Sequence, residues 1–150
     1  MTEKEKHIIE FIKSKDCKSY YIDIRDKLGE FFDNESDFDN HLESLKLKNW
    51  IYENEPGDTL FIINQDMLKA IDYKISLAKY DIKSTGAGGG HKYISAQIDF
   101  NGKTRKMIAT FLSKTDENRL ENMSDLEICG DLIDEGEKYD LTLLNTEIIN

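Results

Sequence analysis

The chain has 150 residues with thirty Asp and Glu against twenty Lys and Arg, a formal net charge of −10 at neutral pH. Hydrophobic residues at 39% and charged residues at 33% describe a folded, soluble chain and exclude a disordered one. The acidic balance excludes a protein that coats DNA through its overall charge, and no apolar run approaches the ~20 residues that cross a bilayer.

The length suits one ordinary domain or two small ones. The opening Met1-Thr2-Glu3-Lys4-Glu5-Lys6 lacks the apolar core of a signal peptide. Cys17 and Cys129 form neither a disulfide framework nor a CxxC pair. Together these features predict a small cytoplasmic protein of bacterial type with no membrane partner.

Ile8, Ile9, Phe11 and Ile12 line one face of a first helix. A second helix begins at Ser19 or Asp23 and turns Ile24, Leu28, Phe31 and Phe32 inward. Asn34-Glu35-Ser36 offers caps for a third, in which Phe38, Leu42, Leu45 and Leu47 recur at mostly helical spacing. Two β-rich runs follow, Trp50-Ile51-Tyr52 and Leu60-Phe61-Ile62-Ile63, with the turn Glu55-Pro56-Gly57-Asp58 between them. Over residues 4–64 this order, with Leu45-Lys46-Leu47-Lys48-Asn49-Trp50-Ile51 at the junction of helix and hairpin, resembles a winged helix.

Many winged helices place their third helix in the DNA major groove. Here that helix carries Glu35, Asp37, Asp39 and Glu43 early, with Lys46 and Lys48 only at its end, and the hairpin tip from Glu53 to Asp58 is acidic. Like charge would meet phosphate, so the expectation for this domain is a structural or protein-contact role. Met67, Leu68, Ile71, Ile75 and Leu77 predict a connecting helix over about 65–78. The first domain is set at 1–74 and the second at 79–150.

In the second domain, Tyr80 to Lys83 reads as a strand and Ser84 to Gly90 as a glycine-rich loop. Tyr93 to Phe100 and Arg105 to Leu112 are two strands joined by the hairpin signal Asn101-Gly102. A short helix from Lys114 to Asn122, capped by Thr115, precedes a fourth strand, Leu126 to Ile133. The acidic turn Asp134 to Glu137 leads to a fifth, Tyr139 to Leu143, with 145–149 extending it. Three strands, a helix and two strands is the order of an OB-fold. The runs from Ser124 to Leu132 and from Leu141 to Ile149 resemble the fourth and last strands of nucleic-acid-binding OB domains. The fold class expected is therefore α+β, a winged-helix-like helical domain followed by a five-stranded OB-like β-barrel.

OB-folds hold ligands across their second and third strands, between the first and last connecting loops. The resemblance therefore implies a site built from Lys83, Gly88, Gly89, His91, Lys92, Tyr93, Lys103, Arg105 and Lys106. From Lys79 to Lys106 six basic residues stand against Asp81 and Asp99. Cations would track phosphates and Tyr93 would stack a base, while the acidic 134–137 loop disfavours a nucleic-acid strand at its end.

The stretch Gly86-Ala87-Gly88-Gly89-Gly90-His91-Lys92 lacks the Gly-Lys-Ser/Thr ending and following helix of a phosphate-binding P-loop. His7, His41 and His91 have no metal-ligand spacing, and no carboxylates pair for acid–base work. No cofactor, metal or catalytic residue is expected. The leading expectation is a non-enzymatic binding protein whose barrel engages single-stranded DNA or RNA. The alternative is a protein–protein adaptor or regulatory module acting through its acidic surfaces.

Overall fold

Thr2 starts the first helix: its side chain accepts a hydrogen bond from the Glu5 amide at 3.1 Å, and Glu3 and Glu5 occupy the first turn, where the helix dipole favours acids. The structure is a computed structural model and describes residues 1–86 and 90–150. Helix α1 (Glu3–Ser14) buries Ile8, Ile9 and Ile12. Asp16 and Cys17, both at positive φ, turn the chain into strand β1 (Lys18–Tyr20). Helix α2 (Tyr21–Leu28) and a 3-10 turn over Gly29–Phe31 lead to helix α3 (Glu35–Leu47). Asn34 caps α3 by accepting from the Asp37 amide at 2.8 Å.

Strands β2 (Ile51–Glu53) and β3 (Leu60–Ile63) follow, and the small antiparallel sheet runs in the order β1-β3-β2. Glu5 is buried yet partnered: Lys48 Nζ lies 3.1 Å away and Ser44 Oγ donates to it at 3.2 Å, which ties α1 to the end of α3.

Three local expectations are corrected. Residues 18–20 form a strand that pairs with 60–62, contacts too distant in sequence for local pattern to show. Leu47 is the last residue of α3 and is 69% exposed. Phe31 is also exposed, its ring stacked on His7 at 4.9 Å, because the chain has already left α2 for the 3-10 turn.

The expected connecting helix over 65–78 is absent. Gln65–Met67 makes a single 3-10 turn, and Ile71–Leu77 is strand β4. The compact units of the chain are Met1–Leu68 and Lys69–Asn150. In the second unit β4 is followed by β5 (Asp81–Ser84), β6 (Lys92–Phe100), β7 (Lys103–Phe111), helix α4 (Lys114–Arg119), β8 (Leu126–Ile133) and β9 (Leu141–Ile148). Asn101 and Gly102, at φ +52 and +81, make the tight turn between β6 and β7 that a left-handed pair favours. Ser113, not Thr115, caps α4: it is the last extended residue, and its hydroxyl accepts from the Asp116 amide at 3.2 Å.

Among the described residues this sheet has six strands, where five were expected, in the order β4-β8-β9-β7-β6-β5. All neighbours are antiparallel except β7 and β9. The sheet curls into a half-barrel around one core that includes Ile94, Met107, Ile128 and Leu143. Its two edge strands, β4 and β5, are separated in the chain only by Ala78, Lys79 and Tyr80. The Tyr80 hydroxyl donates to the Met123 carbonyl at 2.7 Å, fastening that link beside Leu120, which is fully buried. Among the described residues no helix is long and apolar enough to cross a membrane.

Candidate functional site

The β6–β7 hairpin sets the geometry of the candidate surface, because its register places Tyr93 opposite Thr110, Gln97 opposite Lys106 and Phe100 opposite Lys103. Alternation buries Ile94, Ala96 and Ile98 and exposes Gln97 and Asp99. On the neighbouring strand β5, Lys83 is exposed and lies directly across from the half-buried Tyr93. Gly88 and Gly89 lie outside the described residues.

The structure gives most of the expected cations a carboxylate, but on both faces of the hairpin: Lys92, Lys103 and Arg105 share the parity of the buried Ile94, Ile98 and Met107, and Lys106 that of the exposed Gln97. Lys92 Nζ contacts Glu121 at 2.8 Å, and Lys103 pairs with Glu137. Arg105 Nη1 lies 2.9 Å from Asp134, and Lys106 lies 3.9 Å from Asp140. Arg105 is the most committed of these: its side chain is 11% exposed and its Nη2 donates to the carbonyls of Gly136 and Tyr139 at 2.8 and 3.0 Å. The carboxylates respond accordingly. Lys103 holds the Glu137 carboxyl below the usual range and Lys92 does the same for Glu121. The Gly136 amide, then Arg105, hold Asp134 down. Among the described residues Lys83 alone of the expected lysines and arginine has no carboxylate partner.

His91 and Lys92 close the base of the glycine-rich loop. The Thr85 amide donates to the His91 carbonyl at 2.9 Å, and the His91 amide returns a bond to Thr85 Oγ1 at 3.0 Å. Glu117 of α4, 2% exposed, accepts from the Lys92 amide at 2.5 Å and from His91 Nδ1 at 3.2 Å. His91 thus anchors the loop to α4, a structural role that sequence spacing left open.

Chemically the surface offers paired charges. Cys129 is held in its protonated form, since burial and then the Glu147 charge push its thiol up. Among the described residues no three His, Cys, Asp or Glu side chains converge as a metal requires. Sequence reading noted the acidic 134–137 loop but not that it reaches the hairpin cations. It also passed over Lys15, Lys18 and Lys27, which line a groove of about 680 Å³ in the N-terminal unit. Their clustering comes from α1, β1 and α2 meeting, which no local pattern records. Comparison with known proteins finds no match to any protein family, curated protein or solved structure.

Proposed function

We propose that this chain is a non-enzymatic binding protein, a protein–protein adaptor built from a winged-helix-like unit and an OB-like barrel. Support for the first unit is the order helix, strand, helix, helix, hairpin with a β1-β3-β2 sheet. For the second, β4 and β5 read as two halves of one bent strand, the first half paired with β8 and the second with β6. The order then becomes that of an OB barrel, with α4 between its third and fourth strands.

One observation carries the adaptor reading: on both faces of the β6–β7 hairpin the cations lie within ion-pair distance of a carboxylate, Glu121, Asp134, Glu137 or Asp140. A phosphate reaching any of these cations would have to displace a carboxylate and then sit beside it, which reduces the counterion-release gain that drives nucleic-acid binding.

Single-stranded nucleic acid is the second reading, favoured by the unpaired Lys83 beside Tyr93. A salt series with labelled single-stranded and duplex oligonucleotides separates the two. The adaptor reading expects no binding even at low salt. Single-strand binding that weakens as salt rises, and that vanishes when Lys92, Arg105 and Lys106 are changed to Glu, assigns the barrel face to nucleic acid.

A further inference from the structure

The basic residues of the N-terminal unit divide by location. Lys4, Lys6, Lys13, Arg25, Lys46 and Lys48 each form an ion pair. Lys15, Lys18 and Lys27 have no carboxylate partner among the described residues, and all three line one groove. In a unit where acidic residues outnumber basic ones, cations without partners are the exception. Their convergence, three lysines against Asp23 and Asp26, gives the groove a small positive excess on an otherwise acidic body.

The floor of this groove is apolar and aromatic. Phe11, Tyr20 and Leu60 line it, and Tyr20 is 52% exposed. Lys15 Nζ sits 5.7 Å over the Phe11 ring, so the charge at this end is held against the floor. All three residues of β1 contribute to the wall, and β1 pairs only with β3, so the groove runs along an edge strand. The outward residues of the same sheet continue the surface: Tyr20 is opposite Leu60, and Lys18 and Tyr52 both lie opposite Ile62.

We propose that this groove docks an acidic peptide segment that carries an aromatic or aliphatic anchor. The anchor fills the floor between Phe11, Tyr20 and Leu60, and carboxylates on either side meet Lys15, Lys18 and Lys27. An extended segment suits a groove beside an edge strand, where alternate side chains enter and leave the floor. Asp23 and Asp26 also line the groove. They disfavour a phosphate backbone, whose charge is continuous, and are tolerated by a peptide whose charges are spaced. The proposal rests on the adaptor reading and names the chemistry of its partner.

The test uses the full chain and three fluorescent probes: a peptide alternating Asp and Glu with Phe and Leu, the same peptide with every acid replaced by Lys, and oligo-dT. Anisotropy measures binding, and amide chemical shifts of the wild-type chain map it. The acidic peptide is expected to bind, to shift the amides of Lys18, Tyr20 and Leu60, and to weaken as salt rises. Combined Lys15→Glu, Lys18→Glu and Lys27→Glu substitution is expected to weaken it about tenfold or more. Tyr20→Ala weakens it as well, with circular dichroism unchanged.

Absence of acidic-peptide binding overturns the proposal, as does equal binding of the lysine peptide or oligo-dT seated in the groove. Shifts from the acidic peptide that map elsewhere sink the groove but leave the adaptor reading standing. Oligo-dT shifts concentrated on β6 and β7 sink the adaptor reading itself.

Discussion

Arg105 Nη1 lies 2.9 Å from Asp134 Oδ1, and the same guanidinium reaches two carbonyls of the 134–140 connection. A residue that composition offers as a phosphate ligand clamps the loop between β8 and β9 to strand β7. Arg105→Ala should lower the unfolding free energy by about 1–3 kcal/mol, the range for charge-assisted bonds whose partners lose them. Arg105→Lys should not restore it, because a single ammonium cannot serve the carboxylate and both carbonyls in one plane. Urea denaturation checks both, and full rescue by lysine contradicts the clamp.

Glu117 holds the base of the glycine-rich loop. Burial pushes its carboxyl up, but the Lys92 amide, His91 and Lys114 outweigh burial and keep it below the ordinary value. A carboxyl held low by the fold adds stability above its unfolded pKa of about 4.3. That increment disappears as pH falls through the folded value. Glu117→Ala should cost about 1–3 kcal/mol near neutrality through the orphaned Lys92 amide. The gap from wild type should shrink below about pH 4. Denaturation across a pH series reads this, and a gap independent of pH contradicts it.

Tyr21 gives the opposite sign. Its hydroxyl donates to Asp39 at 2.6 Å, and burial, then Asp39 and Glu35, push its pKa up to about 12. A tyrosine held high stabilises the fold below its unfolded pKa of about 10, and that contribution is lost as pH climbs through the folded value. Subtracting the alkaline absorbance titration of Tyr21→Phe from that of wild type should isolate a step near 12. A step near 10 contradicts the Asp39 bond.

Local signals were legible where they were strong and short-range: the Asn34 cap, the Asn101-Gly102 turn and the alternation of Ile94, Ala96 and Ile98. Residues 71–77 show why the rest was not. Ile71 and Ile75 are spaced for a helix, yet Ile71, Tyr73, Ile75 and Leu77 also alternate as a strand. Ile and Tyr favour the strand intrinsically, and pairing with Leu126 to Leu132 decides the matter from far along the chain. The candidate site was legible only in part for the same reason. Its cations were visible, but their partners, from Glu121 to Asp140, belong to later segments that only the folded chain brings alongside.

Gly130 has a packing role within the strand that sequence likeness had linked to nucleic-acid binding. A Cβ there would lie 2.6 Å from the Leu144 carbonyl oxygen, at the register irregularity between β8 and β9. Asn145 marks the same irregularity, with φ +54 and its amide donating to Asp131 at 2.8 Å. Gly130→Ala should therefore destabilise the chain by about 1–3 kcal/mol, as overpacking does. Thermal unfolding measures it, and an unchanged midpoint contradicts the close approach.

The proposed neutralisation of the β6 and β7 cations by intramolecular carboxylates leaves protein binding as the proposed role of the chain. Its most direct test compares wild type with a variant carrying Glu121→Gln, Asp134→Asn, Glu137→Gln and Asp140→Asn in one low-salt titration with labelled oligo-dT. The account predicts no binding by wild type and salt-sensitive binding by the variant, whose cations are set free. Binding by wild type as tight as by the variant would contradict it and return the face to single-stranded nucleic acid.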